Sequence, residues 1–140
     1  MPKVLVFTTY DQEYAIDIGA VREIRNWVQA TPIPSSPSFM EGIINIRGTV
    51  IPLVDFCKKI NPSSDNGEKK AMVIIENEEK TVSFSVNNVS DIIDYDENSR
   101  KNLPDVSQGD VSTFLEGILS IEGRVIFILD VPNLIKECFH

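Results

Sequence analysis

Side chains able to do covalent or metal chemistry are few and scattered in this sequence. The only histidine, His140, is the final residue of a 140-residue chain, where fraying is expected, so no serine or cysteine has a positioned base. Cys57 and Cys138 match no metal-ligand or redox spacing and read as two reduced thiols. The paired carboxylates Glu78-Glu79 and Asp94/Asp96 fall in predicted turns, where solvation is their ordinary role. The seven glycines are dispersed, and neither GxGxxG nor GxxxxGK[ST] occurs, so no phosphate-cradling loop is expected. Arg47 and Arg124 lie beside predicted hairpin turns, and taken alone each reads as a solvated turn residue. The residues therefore predict no enzyme, no cofactor and no metal.

Charge narrows the partners. Thirteen Lys+Arg stand against 21 Asp+Glu, a net charge of −8, which repels phosphates and argues against nucleic acid and anionic membrane surfaces. No apolar run approaches the roughly 20 residues of a membrane span, so no direct insertion is expected. The start, Met1-Pro2-Lys3-Val4, lacks a secretory h-region, which predicts a cytoplasmic chain. What remains for function is surface that binds other proteins.

The elements that would carry such a surface are duplicated. Residues 39–60 (FMEGIINIRGTVIPLVDFCKKI) match residues 114–135 (FLEGILSIEGRVIFILDVPNLI) at an offset of 75, with 10 of 22 positions identical. A weaker match at an offset of 68 pairs Val4–Phe7 with Met72–Ile75, Tyr14/Ile16/Ile18 with Val82/Phe84/Val86, and Val21–Ile24 with Val89–Ile92. One domain over residues 1–140, built from repeat units 1–68 and 69–140, follows.

Each unit reads as β. Val4–Thr8 is a continuous apolar run, and Glu13–Ile18 alternates with the period of a half-buried strand. Val21 and Ile24, three apart, predict a single helical turn over Ala20–Ile24, and Trp27–Ala30 a short strand. Pro32, Pro34 and Pro37 make Thr31–Phe39 extended and irregular. Ile43–Ile46 and Val50–Val54 flank Arg47-Gly48, a tight hairpin repeated at Glu122-Gly123. Asn61–Lys70 and Tyr95–Ser112 are long polar loops. Asp130 caps a short C-terminal helix with Pro132 in its first turn. The expected fold is all-β: two small five-stranded barrels of SH3 or OB type, related by internal duplication, sharing an apolar seam, with that helix at the end. Strand residues cannot all face one small interior, so Leu5, Ile18, Val21 and Ile24 are candidates for exposed apolar surface.

These residues resemble a family. EYAIDIGAVREI, the proline-rich TPIPSSPSF and FMEGIINIRGTVIPLVD together are similar to the CheW family of chemotaxis coupling proteins, across essentially the whole chain. The resemblance implies two packed five-stranded barrels and no enzymatic activity. It implies an adaptor between chemoreceptor cytoplasmic tips and the regulatory domain of the histidine kinase CheA, in rings that also contain further copies of the adaptor. It thus implies a cytoplasmic protein recruited to membrane-associated receptor arrays. The kinase-facing apolar patch falls on Leu5, Ile18, Val21 and Ile24, the receptor contact on Asn45 and Arg47 with Glu23 nearby, and the second, ring-building contact on Asp105 and Val106. Phe56-Cys57 departs from the Leu-Arg of many members. The alternative, an oligonucleotide-binding barrel, would need a basic groove with exposed aromatics, which the charge and a single tryptophan oppose.

Overall fold

The computed structural model describes residues 2–61, 67–103 and 114–139. In the first unit the strands are β1 (Lys3–Thr9), β2 (Gln12–Asp17), β3 (Val21–Asn26), β4 (Met40–Ile46) and β5 (Thr49–Asp55), followed by helix α1 (Phe56–Ile60). In the second they are β6 (Ala71–Asn77), β7 (Lys80–Val86), β8 (Asn88–Asp94), the two-residue β9 (Arg100–Lys101), β10 (Leu115–Ile121) and β11 (Arg124–Leu129), followed by helix α2 (Val131–Cys138).

The two sheets run β8-β1-β2-β11-β10-β9 and β3-β6-β7-β5-β4. Each takes strands from both repeats, so the contiguous halves of the chain are not the two barrels. The β4–β5 hairpin of the first repeat lies parallel on β7 of the second, with Leu53 opposite Ser83. The β10–β11 hairpin lies parallel on β2, with Ile128 opposite Ala15. Offsets of 75 and 68 convert one pairing into the other, so Gly42–Val54 and Gly117–Leu129 occupy equivalent places by a reciprocal exchange of hairpins.

Burial explains the patterning. Leu5, Phe7, Tyr14, Ile16, Val73, Ile75, Val82 and Phe84 form one cluster between the sheets, joined by Val54, Phe56 and the inner face of α2. Val4, Val6, Ala15, Leu119, Ile126 and Ile128 fill one sheet's other face, and their counterparts Met72, Ile74, Ile44, Ile51 and Leu53 fill the other's. Strands β1 and β6 are therefore buried on both faces, which is why Val4–Phe7 and Met72–Ile75 read as unbroken apolar runs. This common cluster is the apolar seam. Leu5, 1% exposed, lies in it and cannot be surface: a strand placed between two layers has no solvent face.

Three local expectations change. Residues 21–24 are strand, not a helical turn. A register shift between Val21 and Glu23 puts Val21 opposite Ile75 and Ile24 opposite Val73, so residues three apart share a face through a bulge. Trp27–Ala30 is not a strand; the chain there makes an isolated bridge, Thr31 to Ile43. That bridge brings the Thr31 carbonyl to 2.1 Å from where a Cβ on Gly42 would stand, so only glycine fits. Helix α1 was not expected. Asp55 accepts from the Lys58 N–H at 3.1 Å, as Asp130 accepts from Asn133 N at 3.2 Å in α2.

Among the described residues the hydrogen-bonded order of neither sheet returns to its starting strand, so the expected five-stranded barrels are instead two open sheets, one of six strands and one of five.

Candidate functional site

The edges that the backbone leaves open are tied by side chains. In the first unit the β4–β5 turn holds Arg47 at φ 50° and Gly48 at φ 84°, two left-handed residues in a row, as a two-residue primed hairpin turn requires. Asn45 Oδ1 accepts from Gly48 N at 2.8 Å and fixes that turn. The guanidinium of Arg47 then reaches across to β3 and donates two hydrogen bonds to Glu23, Nη1–Oε1 at 3.1 Å and Nη2–Oε2 at 2.8 Å. Arg25 Nε stands 3.4 Å from the same carboxylate. Partial burial of Glu23 opposes ionisation, but hydrogen bonds from Arg47 and Arg25 outweigh it and hold the carboxyl below its ordinary range. The structure thus gathers the predicted Glu23, Asn45 and Arg47 in one place.

In the second unit the turn carries Glu122, φ 48°, and Gly123, φ 79°. A glutamate at the place of Arg47 suggests that the turn needs no cation. The cation comes instead from Arg124, two residues later, at the position of Thr49. Its Nε donates to Glu13 on β2 at 3.0 Å, and Nη1 and Nη2 donate to Asp91 on β8 at 3.3 and 3.2 Å. Its hydrogen bonds to Glu13 and then to Asp91 push its pKa up. Asp91 is the counterpart of Glu23. A carboxylate at this place in both repeats was the sequence signal that a basic partner must lie opposite, and Glu13, Asp91 and Arg124 are the residues it would have found.

The apolar candidates separate. Ile24 is 43% exposed on β3, whereas Ile18 and Val21 are half-buried and pack against the seam. Leu5 drops out, as its burial requires. Asp105 and Val106 lie outside the described residues. Exposed apolar side chains also recur by repeat: Ile92 answers Ile24, and Val125 answers Val50.

A half-buried polar network missed from the sequence joins Trp27, Glu41, Asp55, Lys69 and Ser85. Glu41 accepts from Trp27 Nε1 at 3.1 Å and from the Ser85 hydroxyl, and Lys69 Nζ bridges Glu41 at 3.4 Å and Asp55 at 3.3 Å. It ties β4, β5 and β7 to residues 27 and 69 and is structural. Among the described residues no cluster of His, Cys, Asp and Glu could hold a metal ion, and no helix is long and apolar enough to cross a membrane. Burial pushes the Cys138 thiol up to about 11, unlike a reactive cysteine.

This geometry supplies surfaces and ion pairs rather than reacting groups. The CheW-like domain model matches residues 3–139. The chain belongs to the CheW family. It is 32% identical over 133 residues to the chemotaxis protein CheW of Rhizobium meliloti, covering 94% of this chain and 86% of that protein. It is 30% identical over 136 residues to CheW of Bacillus subtilis, covering 96% and 87%. The crystal structure of the scaffolding protein TtCheW from Thermoanaerobacter tengcongensis superposes with a TM-score of 0.83 at 36% identity, over 93% of this chain and 90% of that one. CheW proteins are non-catalytic scaffolds of chemotaxis, and this chain shares their β-rich two-unit fold.

Proposed function

We propose that this CheW-family chain couples chemoreceptor cytoplasmic tips to the regulatory domain of CheA within membrane-associated arrays. The apolar face of β3, with Ile24 exposed and Ile18 and Val21 at its margin, takes the kinase. Glu23, Asn45 and Arg47 take the receptor, and residues 105–106 the second ring contact. The observation that carries the reading is the Arg47–Glu23 pair. The arginine side chain is 65% exposed, yet its guanidinium is held in one geometry by a bidentate contact and a pinned turn. An exposed pair of this kind adds little to stability, whereas a preorganised five-donor fork suits recognition. Arg47→Ala is expected to keep the melting temperature within about 2 °C and keep affinity for a CheA regulatory-domain fragment. It should lose affinity for a receptor-tip fragment at least tenfold. Unchanged receptor affinity, or loss of both affinities together with stability, would show that Arg47 is structural.

A further inference from the structure

Both repeats close with a capped helix, and the second helix is fastened at its far end by a side chain of the first. Asp130 fixes the start of α2: its N–H donates to the Phe114 carbonyl at 2.6 Å and its carboxylate accepts from Asn133 N. An isolated helix of eight residues is marginal in water, so α2 is held by what it packs on. Val131, Leu134, Ile135 and Cys138 seal the common cluster between the sheets. The last carbonyls of a helix have no partner within it. One of them, on Glu137, accepts from Nζ of Lys59 in α1 at 3.2 Å. A cation there also opposes the negative end of the helix dipole.

Lys59 is half-buried where the roots of the exchanged hairpins meet. Its ammonium lies 4.1 Å from the centre of the Phe39 ring, just before β4, and 5.5 Å from that of Phe114, just before β10. The two rings are counterparts in the repeats. The counterpart of Lys59 is Leu134, fully buried in the same cluster. Apolar packing therefore suffices at this position. The lysine adds what a leucine cannot, a charge-assisted bond from one repeat to the last turn of the other. We propose that α2 is a strap over the seam and that Lys59 is its latch: with the ammonium seated on Phe39, Phe114 and the Glu137 carbonyl the strap is closed, and without it α2 lifts from its C-terminal end while the sheets stay folded.

Two thiols report on this. Cys138 is buried on the underside of the strap, whereas Cys57 is buried in α1 and outside the cluster that α2 covers. Lys59→Met keeps the stem on the two rings and removes the charge and its donors. Under native conditions iodoacetamide, with peptide mass mapping, is expected to alkylate Cys138 at least tenfold faster in Lys59→Met and to leave Cys57 within twofold of wild type. Lys59→Arg, which keeps a cation and donors, should return Cys138 to within threefold of wild type. The direction of the change is decisive. The Lys59 charge pulls down a thiol that burial pushes up, so its loss from a strap that stayed shut would slow alkylation. An unchanged or slower reaction at Cys138 would overturn the latch. Equal acceleration at both cysteines would also overturn it, since Lys59 would then serve overall stability alone. Native-state hydrogen exchange of the unaltered protein gives a second measurement should Lys59→Met not fold. The amides of residues 135–139 should exchange through an opening at least tenfold more frequent than that of β1 and β6, and equal protection would overturn the strap.

Discussion

Replacing Arg124 by methionine keeps most of the aliphatic stem and removes only the charge and its donors. The wild-type side chain, on β11, pairs with Glu13 on the neighbouring strand β2 and reaches Asp91 on β8, a strand that is not its hydrogen-bonded neighbour in the sheet. The three side chains are 30%, 22% and 40% exposed, so the network is partly screened rather than fully wet. A fully exposed pair would be worth about 0–1 kcal/mol, and a hydrogen bond to a charged group in a dry site about 1.5–3 kcal/mol. With two carboxylates left facing each other unneutralised, a loss of about 1–2 kcal/mol is expected. For a domain of 140 residues that lowers the melting temperature by roughly 3–10 °C. Thermal unfolding followed by circular dichroism at low salt and at about 1 M NaCl, where screening acts over about 3 Å, should show the deficit and its partial loss in salt. Arg47→Ala should lower the melting temperature by less than half as much, because the Arg47 side chain is 65% exposed. Arg124→Met within about 1 °C of wild type, or a larger drop in Arg47→Ala, would refute the view that the second unit is bridged for stability and the first for recognition.

Three other outcomes can be checked on the same purified protein. Leu5→Ala, within the seam, should cost about 3 kcal/mol or more and weaken all binding through stability, whereas Ile24→Asp should keep the melting temperature and lose CheA-fragment affinity at least tenfold; intact kinase affinity in Ile24→Asp would reject β3 as the kinase face. Ser83 is fully buried with no hydrogen-bond partner for its hydroxyl among the described residues, and its counterpart is Ala15, so Ser83→Ala should raise stability by about 1 kcal/mol in urea unfolding, and a loss would mean that the hydroxyl is satisfied. Because the Glu23 carboxyl is held below its ordinary value, its contribution is present above the usual carboxylate range near about pH 4.3 and is lost as pH falls through the lower folded value; the melting-temperature gap between wild type and Glu23→Gln should therefore close as pH falls below that range, and a constant gap would contradict this.

The duplication and strand content were legible because side-chain period and turn chemistry are local. Gly48 and Gly123 mark turns that only left-handed residues can make, and Asp130 marks a cap. The partners of the strands were not legible. Nothing local distinguishes a hairpin folding back on its own repeat from one docking on the other, and Leu5 read as a surface candidate because a single-barrel picture leaves it no second layer. The three-residue spacing of Val21 and Ile24 imitates a helical turn because a bulge advances the alternation by one. At the site, Asn45, Arg47 and Glu23 could be grouped by resemblance. The matching role of Arg124 stayed hidden because the same task is done two residues further along.

The exchange of hairpins has a bearing on how such a chain is assembled. Neither repeat can complete a sheet alone: Lys3–Thr9 needs Asn88–Asp94, and Thr49–Asp55 needs Lys80–Val86. Two copies of a single repeat could satisfy each other only as an isologous two-fold dimer with swapped hairpins. Joined into one polypeptide, the same arrangement loses its concentration dependence and gains the freedom to diverge. One half can leave its arginine on a single carboxylate at an exposed turn while the other clamps its own between two, an asymmetry that no true homodimer of identical repeats could encode.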